Sequence, residues 1–388
     1  MPALSYRTST FTDSVIRRMT RVCNQYGAVN LSQGYPDFDP PKEILQRLSE
    51  VAFEGPHQYA ITWGAQNFRE ALAAKVRHFS GMTVDPDSEI VVTCGSTEAM
   101  MASIMAVCNP GDKVVIFSPF YENYGADTIL TGAEPIYVPL LPPNFCFDAN
   151  VLEKAMKQPG VKAVIVCNPS NPCGKVFTRE ELMIIGDLAK KYDLFVITDE
   201  VYEHILYKPH THTYMAALPG MRERTIVCNS LSKTYSITGW RLGYAIASPE
   251  VVDRIRKTHD FLTVGAAAPL MEAATVGLRF PDSYYEDLQA HYTHMKDLFV
   301  GGLKDLGFTY TDPQGAYYVL LDISEYGWDN DVEFCEKLAE TVGVGAVPGS
   351  SFFREPVNHL IRFHFAKQDE TLRAALDRMA ELSAKMKK

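Results

Sequence analysis

Short apolar runs alternate with segments of helical spacing through the middle of the chain, and this alternation constrains the fold more than any other feature. One helical segment, residues 178–192, begins with Thr178 and has Glu181 three positions on, which predicts a capping box. Apolar strands that alternate with helices predict an α/β fold, with a mostly parallel sheet flanked by helices on both faces. The predicted strands are Glu89–Thr93, Lys113–Phe117, Pro135–Pro139, Lys162–Cys167, Leu194–Thr198, Thr225–Asn229 and Leu242–Ala247.

The C-terminal third of the chain follows a different pattern, which predicts a smaller α+β domain. Its predicted elements are a long helix at Ser283–Leu306, a strand at Gly315–Asp322, a helix near Asp331–Thr341, a strand at His359–Ala366 and an amphipathic helix at Asp369–Lys388.

The start of the chain is predicted to be irregular over roughly its first 40 residues, since the prolines within Gly34–Pro41 exclude a helix interior there. A chain of 388 residues also exceeds the usual size of a single core. We therefore expect an N-terminal arm and part of a small domain over residues 1–44, a large domain over 45–282 and the small C-terminal domain over 283–388. The two termini together would form the smaller α+β domain.

Composition and charge exclude several classes of function. The net charge is −10 and no run is rich in Lys or Arg, so we expect no nucleic-acid partner. No apolar stretch approaches the roughly 20 residues of a membrane span, and Met1–Met19 lacks the apolar centre of a signal peptide. The eight cysteines include no C-x-x-C pair and no zinc spacing, which predicts free thiols, no metal site and a cytoplasmic location.

Lys233 lies in the segment Ser230–Arg241, where hydroxyl residues flank it and Arg241 follows eight positions later. A lysine condenses with an aldehyde only as the free amine, which requires a lowered pKa. Hydroxyls and a guanidinium suit a phosphate, so the segment indicates a phosphorylated aldehyde, pyridoxal 5′-phosphate (PLP). A solvated surface lysine is the usual alternative, so the other segments have to decide.

Candidate ligand-binding residues follow several of the predicted strands, at the sheet edge where open α/β sheets bind ligands. Ser96 and Thr97 lie in a small-residue turn that leads into the apolar helix Met100–Val107. Such a turn presents free backbone N–H groups to an anion, although an ordinary helix N-cap is the alternative.

Two further strand ends carry polar groups that PLP uses. Asn171 belongs to Asn168–Gly174, a rigid double Asn-Pro turn that holds its amide in a fixed direction, and a plain turn is the alternative. Asp199 and Tyr202 follow the next strand, and a carboxylate there requires a partner such as a protonated pyridine nitrogen, unless it is only a helix N-cap.

These motifs together resemble the fold-type I PLP-dependent class I/II aminotransferase family, which includes kynurenine, methionine and aspartate aminotransferases. The resemblance extends from about Val29 to the C-terminal helix. The matching motifs are Ser230-x-Ser232-Lys233 with Gly239-x-Arg241, Asn168-Pro-x-Asn171-Pro-x-Gly174, and Asp199-Glu-x-Tyr202.

The resemblance implies that residues 45–282 form the PLP-binding domain and assigns its residues. Lys233 would form the Schiff base with PLP and, once displaced, carry the proton. Asp199 would pair with the pyridine nitrogen, Asn171 and Tyr202 would bond the phenolic oxygen, and Tyr121 would stack on the ring. The phosphate would be held by Ser96, Thr97, Ser230 and Arg241, and by Tyr59 of the neighbouring subunit in a homodimer with shared active sites.

For the substrate, the resemblance implies Gly34, Asn171 and Arg362. Arg362 would clamp the α-carboxylate, a bidentate pairing that lysine does not reproduce. No second arginine is evident for a distal carboxylate, and Arg69 is one candidate. Four aromatic residues are candidates for the pocket, although core packing is expected for at least half of them: Tyr35, Trp63, Tyr124 and Tyr317.

The predicted reaction is transamination, in which the α-amino group of an L-amino acid passes to a 2-oxo acid by a ping-pong mechanism. A β-eliminating C–S lyase or a cyclase on the same fold is the alternative, since the same cofactor residues serve it. An aminotransferase-like regulator is a third class. Such proteins carry an N-terminal DNA-binding domain, for which the start of the predicted fold leaves no room.

Overall fold

The computed structural model describes residues 2–11 and 13–387. Within them the strands are β1 (Val29–Asn30), β2 (Ile90–Thr93), β3 (Lys113–Ser118), β4 (Glu134–Pro139), β5 (Val161–Cys167), β6 (Phe195–Asp199), β7 (Thr225–Ser230), β8 (Gly243–Ile246), β9 (Tyr318–Asp322), β10 (Val344–Gly345), β11 (Val347–Pro348) and β12 (Leu360–His364).

The α-helices of the same residues surround these strands. They are α1 (Val15–Tyr26), α2 (Lys42–Glu54), α3 (Gln66–Ser80), α4 (Ser96–Val107), α5 (Asn123–Leu130), α6 (Ala149–Met156), α7 (Arg179–Lys191), α8 (Pro249–Thr263), α9 (Ala268–Leu278), α10 (Asp282–Asp305), α11 (Asp331–Lys337), α12 (Asp369–Met379) and α13 (Leu382–Met386).

The largest sheet in the described part of the chain has seven strands in the order β2-β8-β7-β6-β5-β3-β4. Strand β8 is antiparallel to β2 and β7, and the other paired strands are parallel. All seven predicted runs are strands of this sheet, so the predicted α/β fold is confirmed. The carboxyl ends of β5, β6 and β7 lie side by side at one edge, as parallel pairing requires.

The capping box predicted at Thr178 is present at the start of α7. The Thr178 hydroxyl accepts a hydrogen bond from the Glu181 N–H at 3.1 Å, and the Glu181 carboxylate accepts one from the Thr178 N–H at 2.9 Å. Each side chain satisfies a backbone donor that the first helical turn leaves free.

Two predictions about the chain ends are wrong. The first residues are not irregular throughout, because α1 begins after the N-cap Ser14 and ends at Gly27, whose φ is 62°. Its buried residues recur at helical spacing and hold it against the protein: Ile16, Met19 and Cys23. The predicted helix Asp369–Lys388 is divided into α12 and α13, because burial of Leu382 and Met386 redirects the last turn; Lys388 lies outside the described residues.

The two ends of the chain pack together. Strand β1 pairs with β10, and β9, β11 and β12 form an antiparallel sheet. Met19 and Leu31 share a buried cluster with Phe299 and Phe363. No helix in the described ranges has both the length and the apolar character that a membrane crossing requires.

Candidate active site

A cavity of about 890 Å³ lies at the carboxyl edge of the large sheet, where it also borders β12 and the start of α1. It brings together every predicted site residue except Tyr59, whose side chain is 86% exposed and does not line it. The predicted residues around the cavity are Gly34, Ser96, Thr97, Tyr121, Asn171, Asp199, Tyr202, Ser230, Lys233, Arg241 and Arg362.

Lys233 lies in the loop after β7 and is half-buried in the cavity wall. Its Nζ donates a hydrogen bond to the Gly34 carbonyl at 3.3 Å, and no acid forms an ion pair with it within the described residues. Burial, together with the charge of Arg241, lowers the pKa of Lys233 to about 8 against the opposing effect of Asp199. The free amine is therefore far more populated near neutral pH than it is in an exposed lysine.

Asp199 ends β6 with its carboxylate buried at the same cavity. One oxygen accepts a hydrogen bond from the Tyr124 hydroxyl at 2.7 Å, and the other accepts one from the Val201 N–H at 3.3 Å. Burial raises the pKa of Asp199 to about 6, although both bonds and the charge of Lys233 act in the opposite direction. A cation placed beside this carboxylate would be strongly favoured.

Arg362 lies on β12 and is fully buried. Its Nη1 donates to the Asn171 Oδ1 and its Nη2 to the Ser32 carbonyl, both at 2.7 Å. The guanidinium lies between the rings of Tyr318 and Phe352, 4.4 and 4.6 Å from their centroids. Its Nε has no partner, and no carboxylate of the described chain pairs with it, so the cation is suited to bind an acidic ligand.

Aromatic residues form another part of the wall. The Tyr202 hydroxyl lies 2.8 Å from the Tyr318 hydroxyl, and Tyr121 meets Tyr124 edge to face at 5.8 Å. Because the Asn171 oxygen is taken by Arg362, its amide nitrogen remains available as a donor towards the cavity.

The start of α4 forms an anion cradle, by which we mean the free N–H groups of Ser96 and Thr97 together with the Arg241 guanidinium. Helix α4 begins four residues before the predicted Met100, after Gly95 with φ 85° and no side-chain cap. A side chain at Gly95 would overlap the Arg241 guanidinium, so cation and helix start are adjacent. Such a helix start with a neighbouring arginine suits a phosphate.

Sequence reasoning missed or misplaced several residues. The sequence predicted Tyr124 only as a pocket-lining aromatic, but in the structure it lies in the first turn of α5, lines the cavity beside Tyr121 and bonds Asp199. Arg69 does not line the cavity, because it donates to the Gly64 carbonyl at 2.9 Å and to Asp87 at 2.6 Å. Tyr35 also lines the cavity, whereas Trp63 and Tyr317 do not. Tyr317 is buried just behind the cavity wall, where its hydroxyl donates to the Gly34 carbonyl at 3.0 Å.

One family profile matches the chain over residues 26–379, and that family is described as aminotransferase class I and II. The chain belongs to this family. It is accordingly an aminotransferase, which transfers an amino group from an amino acid to an oxo acid.

Relatives of this aminotransferase align over nearly its whole length. It is 35% identical to a probable N-succinyldiaminopimelate aminotransferase of Mycobacterium tuberculosis over 385 residues, covering 96% of this chain and 97% of that protein. It is 36% identical to the methionine aminotransferase of Escherichia coli over 370 residues, covering 95% and 96%.

Solved structures give the same result for the fold. The N-succinyldiaminopimelate aminotransferase from M. tuberculosis superposes with a TM-score of 0.95 at 36% identity, covering 98% of this chain and 100% of that one. The E. coli protein YbdL, reported with a methionine aminotransferase function, superposes with a TM-score of 0.94 at 35% identity and the same coverage.

Proposed function

We propose that this aminotransferase uses PLP and works by a ping-pong mechanism on an L-amino acid and a 2-oxo acid. The observation that carries the proposal is the shared cavity of Lys233, Asp199, Arg362 and the anion cradle. A lysine with a lowered pKa, a buried carboxylate that lacks a cation and an anion site fit the aldehyde, ring nitrogen and phosphate of one molecule. When bound, PLP supplies that aldehyde and a cationic ring that withdraws electrons from the substrate carbon.

Four residues would hold the ring of the cofactor. Asp199 would keep the ring nitrogen protonated, since its pKa of about 6 favours a bound cation. The free Asn171 amide nitrogen and the Tyr202 hydroxyl would donate to the phenolic oxygen, and Tyr121 would cover a ring face.

The phosphate would lie in the anion cradle. Ser96 and Thr97 would supply backbone and hydroxyl donors, Ser230 would supply a third hydroxyl at the end of β7, and Arg241 would supply the cation. Tyr59 would reach the phosphate of the other subunit in a homodimer, and its 86% exposure in the single chain supports this role.

Lys233 and Arg362 would act on the substrate. Arg362 would bind the α-carboxylate, since its buried guanidinium has no acidic partner in the described chain. The free amine of Lys233 would take the proton from the substrate α-carbon and return it. Gly34 would border the substrate, since it lines the cavity, and a side chain there would overlap the Tyr318 ring.

The test is a half-reaction screen. Cofactor-loaded enzyme would be mixed with one L-amino acid at a time, without an acceptor, and the released oxo acid quantified by mass spectrometry. About one equivalent of the matching oxo acid per subunit, with turnover only after a second oxo acid is added, is expected. Continuous release of pyruvate and ammonia from a cysteine conjugate without any acceptor would instead establish the lyase alternative.

We also propose the domain division 1–44, 45–282 and 283–388. The cluster that joins Met19 and Leu31 to the C-terminal residues supports it, and α10 begins at Asp282.

A cytoplasmic location is proposed as well, supported by eight cysteines that are all free.

A further inference from the structure

A buried hydrogen-bonded pair, Glu98 and His259, lies directly behind the anion cradle. Glu98 is in the first turn of α4 and borders the cavity at 9% exposure. His259 belongs to α8, is 0% exposed and does not line the cavity. Its Nδ1 lies 2.7 Å from the Glu98 Oε1.

The hydrogen bonds determine where the protons lie. The His259 Nε2 is 3.0 Å from the Thr62 carbonyl, which can only accept, so Nε2 carries a proton. The Glu98 carboxylate accepts from the Cys94 N–H at 2.6 Å and from the Thr263 hydroxyl at 2.8 Å. Burial raises the Glu98 pKa, but the bonds from His259 and Cys94 outweigh it and hold the pKa below its usual value. The bond of 2.7 Å between Nδ1 and the Glu98 Oε1 needs one proton between these two atoms, so the pair as a whole carries no net charge.

The charge of Glu98 matters because of its position. An unpaired carboxylate in the first turn of α4 would offset the positive potential of the N–H groups that face the phosphate site. It would also repel a phosphate dianion bound there. Arg241 and Lys233 are the cations that face the cavity on this side, and neither bonds Glu98. His259 alone cancels the carboxylate among the groups that contact it in the described structure.

We propose that His259 is a positioning residue that neutralises Glu98 and thereby sets the affinity of the anion cradle for the phosphate of the cofactor. The inference rests on the proposed function, in which α4 binds that phosphate. His259 acts on the anion cradle only through Glu98. Its bond to the Thr62 carbonyl separately ties that segment to α8.

The experiment compares a ligand with and without phosphate. Wild-type full-length protein and the variants His259→Gln, Glu98→Gln and the double variant would be freed of cofactor and titrated with PLP and with pyridoxal. Both ligands use Lys233, so the affinity for PLP divided by the affinity for pyridoxal measures what the phosphate group contributes to binding. His259→Gln should lower the ratio by about tenfold or more, and the double variant should recover it to within about threefold of wild type, since the repelling charge is gone.

A matched control is His294→Gln, which breaks a similar pair with Asp369 at 2.9 Å on the exposed surface and should leave the ratio unchanged. The inference would be overturned if His259→Gln lowered the affinities for PLP and pyridoxal equally. It would also be overturned if the affinity ratio of the double variant were no higher than that of His259→Gln. If His259→Gln does not fold, Glu98→Gln decides, because a ratio below wild type there contradicts the proposed charge balance. A wild-type protein with no preference for PLP over pyridoxal would instead refute the cofactor role itself.

Discussion

Three ionisable side chains at the cavity are held without the partners that buried charges normally have. Lys233 has only a carbonyl acceptor, Asp199 has neutral donors, and Arg362 has no acid. Unpaired buried charges are costly to folding, so such groups are typical of sites that complete their pairing with a ligand.

Replacing Lys233 by Met should stabilise the cofactor-free protein in a pH-dependent way. The pKa of Lys233 falls from 10.5 to about 8 on folding, so the unfolded chain binds more protons between these values and wild-type stability rises with pH there. The variant should be more stable by up to about 3 kcal/mol below pH 8, and its advantage should shrink as the pH rises towards 10.5. Urea unfolding at about pH 7 and pH 9.5 measures this. An advantage that does not change with pH would contradict it.

Replacing Arg362 by Gln should weaken the binding of amino acids by about 2–5 kcal/mol, since it removes the buried partner of the α-carboxylate. Arg362→Lys should recover little of this, because an ammonium does not form the bidentate pair. The dependence of the half-reaction rate on amino-acid concentration measures this affinity. The matching amine without a carboxylate is the control, and it should bind wild type and variants equally. Wild-type affinity for amino acids in Arg362→Gln would remove this residue from its proposed role.

At the scale of elements, the site depends on where helices and strands begin and end. Helix α4 starts at Ser96 without a side-chain cap, which leaves its N–H groups for a ligand. Gly243 of β8 packs so closely on Gly95 that a side chain there would overlap the Gly95 backbone. The cradle therefore requires glycine at two facing positions, for reasons of space at both and of backbone conformation at Gly95.

Gly95→Ala should weaken PLP binding, whereas Gly81→Ala should not. Both glycines have positive φ, 85° and 74°, but only Gly81, with ψ −3°, lies in the αL region, whereas Gly95 has ψ 168°. Gly81→Ala should therefore lose about 1–2 kcal/mol of stability, and Gly95→Ala should lose more, because its conformation is restricted to glycine. Only at Gly95 would the new methyl group displace Arg241, since nothing lies within 4 Å at Gly81. Urea unfolding and PLP titration of both variants separate the two effects. Equal PLP affinity in the two variants would exclude a close contact between Arg241 and the start of α4.

At the scale of the whole molecule, apolar side chains remain exposed beside the cavity. Leu262 lines it and is 46% exposed, and its neighbours Phe261 and Val264 are 92% and 50% exposed. Exposed apolar patches of this kind mark protein–protein contacts. Together with the exposed Tyr59, they favour a homodimer in which each subunit completes the site of the other.

Mixing two defective variants should restore cofactor binding if Tyr59 acts across a dimer. In a hybrid of Lys233→Ala and Tyr59→Ala subunits, one site carries both changes and the other carries neither. Co-refolded mixtures should regain sites of wild-type PLP affinity that neither parent has, and light scattering should give about twice the 43.4 kDa chain mass. A monomer, or a mixture with no wild-type sites, would contradict the shared site.

Much of the fold was predictable because its signals are local. Seven apolar runs became the seven strands of the main sheet, since period and composition decide strand formation where both faces are buried. The ends of the chain were harder, because α1 is stabilised by burial against residues distant in sequence. Its apolar pattern of Ile16, Met19 and Cys23 is short. The prolines within Gly34–Pro41 also favoured an irregular prediction for the whole N-terminal segment.

The sequence by itself predicted the candidate chemistry of the site: a lysine, a carboxylate and an amide that follow strands of one sheet, together with two arginines. Only the tertiary structure decided which groups meet. It paired Tyr124 with Asp199, Asn171 with Arg362 and His259 with Glu98, across separations of 75, 191 and 161 residues. The physical reason is that strand and turn propensities act over a few residues, whereas the partner of a buried charge is set by how distant elements pack.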